Sequence, residues 1–153
     1  MSAEQRLAAL GLSLPSPPSP IGNYVPFRLA GNLLFLSGVG PRLADGTMLA
    51  GKVGAEVDIA RAYEAAKLCG LSLLTNMRSA AGSLDRVDTI LKVLGMVNAV
   101  PSFTDHPKVI DGCTDLFVAV FGEGGRPARS AVGMSSLPRD IPVEVEAVVL
   151  LKG

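Results

Sequence analysis

The stretch "VEVEAVVLL" at residues 143–151 constrains the fold of this chain more than any other. Val143, Glu144, Val145, Glu146 and Ala147 alternate apolar with acidic, the period of two that a strand with one buried face requires. Just upstream, "ARSAVGM" at 128–134 has the composition of a second strand, and the connection carries Pro138, Arg139, Asp140 and Pro142, which suit a loop. An arginine, Arg129, therefore opens one strand, and two carboxylates, Glu144 and Glu146, lie on one side of the next. In a chain that is 48% hydrophobic and only 18% charged, that placement needs an explanation.

The remaining elements follow from spacing. "MSAEQRLAALGLSL" predicts a short helix capped by Ser2, with Gln5 reaching back and Gly11 ending it. Pro15, Pro17, Pro18 and Pro20 then exclude a sheet interior and make residues up to 18 an N-terminal helix and extended arm, ahead of one domain at 19–153. Residues 25–29 and 33–38 predict a hairpin around Ala30-Gly31-Asn32. A long helix is expected over 57–81, with Ile59, Ala62, Tyr63, Ala66, Cys69 and Gly70 as its apolar stripe and Gly82-Ser83 as its end. Residues 87–100 make a central strand, and Pro107 opens a second helix to about Phe121, with Leu116, Val120 and Phe121 inward. After the turn "GEGGRP" come strands 128–134 and 142–151. The order β-β-α-β-α-β-β predicts an α+β sandwich, a mixed sheet with two helices on one face. Alternation in Ser130/Val132/Met134 and in Val143/Val145/Ala147 leaves its other face partly apolar, and oligomerisation would cover it.

Composition removes several function classes. Lys+Arg and Asp+Glu number 14 each, no basic run breaks that balance, and Trp is absent, so nothing favours a nucleic-acid partner. Glu56, Asp58, Arg61, Glu64, Lys67 and Arg78 interrupt the longest apolar stretch, which excludes a membrane span there. The N-terminus carries Glu4 and too short an apolar run for an export signal, so the cytoplasm is the expected location. Cys69 and Cys113, both on predicted helices, are expected as buried thiols. With one histidine, His106, expected in a loop or beside a helix N-terminus, and no CxxC pair, no His- or Cys-based metal set can form. In "LSGVGP", Gly38 and Gly40 mark either a bulge at a strand end or a place where a ligand approaches the backbone. Arg129 and Glu144 also carry two readings. They could serve as a carboxylate clamp and a water-holding base, or Arg129 could pair with one glutamate while the other faces solvent. Residue pattern alone favours the second.

"PARSAVGMSSLPRDIPVEVEAV" closely resembles the C-terminal signature of the YjgF/RidA family, P-A-R-S, a short strand, L-P, then a V/I-E-I/V-E-A strand. "SPIGNYVPFRLAGNLLFLSGVGP" is similar to that family's G-x-Y segment and S-G strand end, and the likeness covers most of residues 19–152. The resemblance implies a chorismate-mutase-like fold (bacillus type) assembled as a homotrimer with clefts between subunits. It also implies cofactor-free, metal-free hydrolysis of reactive 2-imino acids or enamines to 2-keto acids and ammonia. Position by position, Arg129 would bind the substrate carboxylate and Glu144 would hold the attacking water. Tyr24 would line the cleft from a neighbouring chain, and Ser37-Gly38 would supply hydroxyl and backbone contacts.

Three departures bear on that reading. Deaminase-type members commonly have Cys where Ala131 stands, Gln where Val39 stands, and Asn near the position of Asp111. These changes in the substrate-binding surroundings support an alternative: non-catalytic binding of a small carboxylate metabolite. The endoribonuclease activity attached to some relatives fits poorly with zero net charge and few aromatics.

Overall fold

A computed structural model describes all residues, 1–153. Helix α1 (Ala3–Ala9) precedes the hairpin β1 (Phe27–Ala30) and β2 (Leu33–Val39); α2 (Ile59–Ala81), β3 (Val87–Asn98), α3 (His106–Phe121), β4 (Ala128–Met134) and β5 (Val143–Leu151) follow. The five strands form one sheet in the order β1-β2-β5-β3-β4, with β3 and β4 parallel and every other pair antiparallel. This is the expected mixed-sheet α+β architecture, and α2 and α3 cover one face.

Local chemistry sets the boundaries. Asp58 caps α2 by accepting a hydrogen bond from Arg61 N, and Gly82 ends it at φ 82°. The α2 stripe holds at Ala62, Ala66, Cys69 and Gly70, which are buried, whereas Ile59, the first residue of the helix, is exposed and Tyr63 is half-buried. From Cys69 to Met77 α2 is buried all round, because the N-terminal arm covers the side the sheet leaves open. Thr75 Oγ1 donates to Pro15 O at 2.9 Å, and Arg42 Nη1 donates to Ser16 O at 3.2 Å. Further back, α1 has the expected capping box and buries Leu7 in the core, while Glu4 pairs with Arg78 and accepts from Leu84 N at 2.9 Å.

Helices α2 and α3 touch through backbone. A Cβ on Gly112 would stand 2.0 Å from Tyr63 O, so only glycine permits this crossing. Gly112→Ala must separate the helices, and we expect it to cost about 3 kcal/mol, the upper range for overpacking a tight core. A denaturant titration measures that loss.

Register assigns the faces. Leu34, Leu36, Val93, Val143, Val145, Ala147 and Val149 are buried against the helices. The opposite face presents Phe35, Val148, Lys92, Leu94, Met96, Glu144, Glu146 and Val132 as cross-strand neighbours. On β4 the expectation for Ser130/Val132/Met134 holds. On β5 it needs correction: Val143, Val145 and Ala147 belong to the core, and the second face carries the two glutamates, Val148 and Leu150 instead.

Candidate active site

The arm, the end of β2, the middle of α2 and the loop before β5 enclose a cavity of about 320 Å³. β2 breaks register with β5 between Leu36 and Val39, so the bulge reading of "LSGVGP" is correct. The break serves Glu144, whose Oε2 would lie 3.0 Å from a Cβ on Gly38. Glycine here lets a carboxylate lie directly over the strand backbone. Ser37 Oγ donates to Val25 O at 2.6 Å, so its proton ties the strand to the segment before β1, and its lone pairs remain for a ligand. Tyr24 lines the same cavity with Ser37, Gly38, Val39 and Glu144 of its own chain. Relative to Glu144, therefore, it does not come from a neighbour.

Glu144 is half-buried. Desolvation, and after it the Glu146 carboxylate, push its pKa above the ordinary carboxylate value. A base of that kind holds a water proton more firmly than a free carboxylate and can return it. Activity that needs ionised Glu144 therefore falls on the acid side at a pH above the usual carboxylate range. A pH profile of kcat/KM displays that limb, and Glu144→Gln removes the group responsible.

Arg129 stands elsewhere. It pairs in register with Val93, on the helix-covered face of the sheet, whereas Glu144 pairs with Met96 on the other. Its Nη1 donates to Asp111 Oδ1 at 2.8 Å and to Thr114 Oγ1 at 3.1 Å, both on α3. Pairing of Arg129 with a glutamate is thus corrected: its partner is Asp111. The Nε and Nη2 edge of the guanidinium makes no hydrogen bond within the chain. Ala131 pairs with Gly95 on the same face as Arg129, so Arg129, Asp111 and Ala131 form one group along β4 and α3. Tyr24, Ser37, Gly38 and Glu144 form another. One chain does not bring the two groups together.

Several cavity residues were not singled out from sequence for this site: Arg42, Asn76, Arg139 and Ile141. Arg139 lies in a turn where it and Asp140 both have φ 57°. That geometry is over-determined. Asn98 Nδ2 donates to Asp140 Oδ1 at 3.0 Å and to Ile141 O at 3.2 Å, Lys52 Nζ donates to Asn98 Oδ1 at 2.7 Å, and Gly51 N donates to Asp140 O at 2.7 Å.

Other candidates are structural. Cys69 and Cys113 are both free and fully buried, and burial is the main cause that raises both thiol pKa values, so neither is a nucleophile near neutral pH. His106 opens α3 and packs edge-on to Phe103, ring centroids 5.2 Å apart. No helix is long and apolar enough to cross a membrane.

A family model described as "YjgF/chorismate mutase-like, putative endoribonuclease" matches residues 4–146, which spans both groups of site residues and all of α1 but its first residue. The chain belongs to the YjgF/RidA family. Among family relatives, protein TCP17 of Trypanosoma cruzi is 40% identical over 146 residues, covering 95% of this chain and 91% of that protein. A 2-iminobutanoate/2-iminopropanoate deaminase of Dermatophagoides farinae is 29% identical over 143 residues, 92% of this chain and 95% of the relative. The crystal structure of a protein described as a "putative endoribonuclease" from Shewanella oneidensis superposes with a TM-score of 0.94 at 34% identity, covering 99% of this chain and 100% of that one. The chorismate-mutase-like fold is therefore shared along the whole length, arm included.

Proposed function

We propose that the protein is a cofactor-free deaminase hydrolysing reactive 2-imino acids, or their enamine tautomers, to 2-oxo acids and ammonia in clefts shared between copies of a homotrimer. The observation that carries this reading is the division of the machinery. Arg129 and Glu144 occupy opposite faces of one sheet, so a complete site needs the β4–α3 edge of one copy laid over the cavity of the next. The apolar second face, with Phe35 and Val132 exposed, gives such a neighbour a surface to bury.

In the shared cleft, the open Nε/Nη2 edge of Arg129 takes the substrate carboxylate through two parallel hydrogen bonds. That grip turns the imine carbon toward the water on Glu144. The water oxygen adds to the carbon as Glu144 accepts a proton. Glu144 passes that proton to the imine nitrogen to give a carbinolamine, then takes the hydroxyl proton and delivers it to the same nitrogen as the carbonyl forms and the carbon–nitrogen bond breaks. Imine plus water becomes ketone plus ammonia, with no electron transfer and no net proton on the enzyme. The deaminase among the relatives supports this chemistry.

Binding without turnover is the second reading, and the Asp111–Arg129 pair favours it, because the clamp's charge is partly matched inside the chain. The experiment that separates them generates a 2-imino acid in situ with an amino-acid oxidase and follows 2-oxo acid and ammonia. Deamination predicts release accelerated well above the buffer rate. Tight 2-oxobutanoate binding with no acceleration would establish the binding reading instead. The assembly is measured apart from activity: light scattering should give about three times the 15.8 kDa chain mass. A monomer at micromolar concentration would remove the shared cleft.

A further inference from the structure

The cavity holds one polar group that its own fold does not use. Asn76 lines it from the middle of α2, is only 1% exposed, and its amide nitrogen has no hydrogen-bond partner. It is the one buried side-chain polar atom in the chain left unsatisfied. A buried amide without a partner is destabilising, and an apolar residue of similar volume would fill the same space without that cost. Its neighbour Ser72, one helical turn earlier, is also buried and lines the same wall.

Charge adds a second, independent observation. The charged residues lining the cavity are Arg42, Arg139 and Glu144, two cations against one carboxylate. Arg42 is partly committed, since its Nη1 donates to Ser16 O. Arg139 makes no hydrogen bond through its side chain, and its left-handed turn is fixed from below by the Lys52–Asn98–Asp140 network. That network holds an arginine at the mouth of the cavity in a backbone conformation that non-glycine residues rarely adopt.

We propose that Asn76 and Arg139 form a second recognition point, which reads an acidic group on the substrate's side chain, so that the preferred ligands are 2-imino and 2-oxo dicarboxylates. The proposal rests on the deaminase cleft described above and extends it. The neighbour's Arg129 holds the carboxylate beside the reacting carbon, and Glu144 faces that carbon. The rest of the cavity then receives the side chain. A short aliphatic side chain leaves the Asn76 amide unpaired, whereas a distal carboxylate accepts its N–H and meets the positive charge of Arg139.

The test compares Kd values of 2-oxoglutarate and 2-oxobutanoate by calorimetry on the assembled wild-type protein, on Asn76→Leu and on Arg139→Gln. Wild type should bind the dicarboxylate at least about ten-fold more tightly, one charge-assisted hydrogen bond's worth of discrimination. Asn76→Leu should bring the ratio to within about two-fold of unity, with a melting temperature no lower than wild type because an unpaired amide has been removed. Arg139→Gln, an exposed change that leaves the core intact, should reduce the ratio in the same direction. Equal affinities in wild type, or a preference that survives both substitutions, would overturn the proposal while leaving the cleft itself intact. Failure of both oxo acids to bind would instead remove the cleft on which it rests, and this proposal with it. Selective binding without ammonia release would uphold the second recognition point and end the deaminase reading alone.

Discussion

Arg129→Lys should lose turnover nearly as completely as Arg129→Ala, by about two orders of magnitude in kcat/KM, equivalent to about 3 kcal/mol of transition-state stabilisation. Lysine retains the charge but offers a single point of attachment, and it cannot donate to Asp111 and Thr114 while presenting a second, parallel pair of N–H groups to substrate. Stability should change little, because the Arg129–Asp111 pair is partly solvated and Asp111 can turn to water once its partner is gone. Asp111→Asn sharpens the test. It removes a carboxylate that competes with substrate for the guanidinium, so 2-oxobutanoate should bind several-fold more tightly. Steady-state kinetics and melting curves on the three variants read these outcomes. A large fall in melting temperature with no kinetic defect would mean that Arg129 serves only to fasten α3 to β4.

Glu144→Gln should abolish turnover, by about three orders of magnitude, while a 2-oxo acid still binds, since the amide fills the same space and cannot accept a proton from water. Its effect on stability has the opposite sign from most buried substitutions. The folded-state pKa of Glu144 is raised, chiefly by desolvation, so the folded chain holds this proton more tightly than the unfolded chain does. Between the ordinary carboxylate pKa and the raised one, the native state binds more protons, and stability falls as pH rises through that window. The glutamine variant escapes the fall. At neutral pH it should melt no lower than wild type, and the difference should vanish below the ordinary carboxylate pKa, where both side chains are neutral. A carboxylate kept in a place that does not stabilise the fold is consistent with a chemical role.

Much of this architecture is legible in the sequence because local rules agree with the global fold. Alternation fixes the period of β5, Gly82 ends α2, and the Ser2–Gln5 box places α1. Facing is legible on one strand and not on the other. On β5, Val143, Val145 and Ala147 go to the core instead of the second face. On β4, Ser130, Val132 and Met134 take the second face as expected, and Arg129, Ala131 and Gly133 lie under α3. The reason is steric. A Cβ on Gly133 would lie 2.5 Å from His106 Nε2, and one on Gly95 would lie 2.5 Å from Ile110, so the helix packs too close for larger side chains. On β5 valines stand on both faces, at Val145 and Val148, and alternation alone does not say which of them the helices cover. The cavity is legible only in part. Glu144, Ser37, Gly38 and Tyr24 belong to segments with recognisable motifs, and Arg139 stands inside one of them, but its reach into the cavity depends on the turn that the Lys52 network fixes, and Asn76 joins only because the arm closes over the middle of α2. The partner of Arg129 was hidden for a related reason: Asp111 and Arg129 meet because α3 lies across the parallel β3–β4 pair, a contact eighteen residues apart.

Subunit complementation tests the central claim, that each cleft draws Arg129 from one copy and Glu144 from the next. Arg129→Ala and Glu144→Gln proteins, each inactive alone, are mixed in equal amounts, dissociated gently and reassembled, with exchange verified by mass. If the cleft is shared, a fraction of interfaces receives an intact arginine from one parent and an intact glutamate from the other. Random reassembly then restores up to about a quarter of the wild-type deamination rate. A reassembled mixture no more active than its two parents, with exchange demonstrated and wild type active under the same conditions, would contradict the shared site.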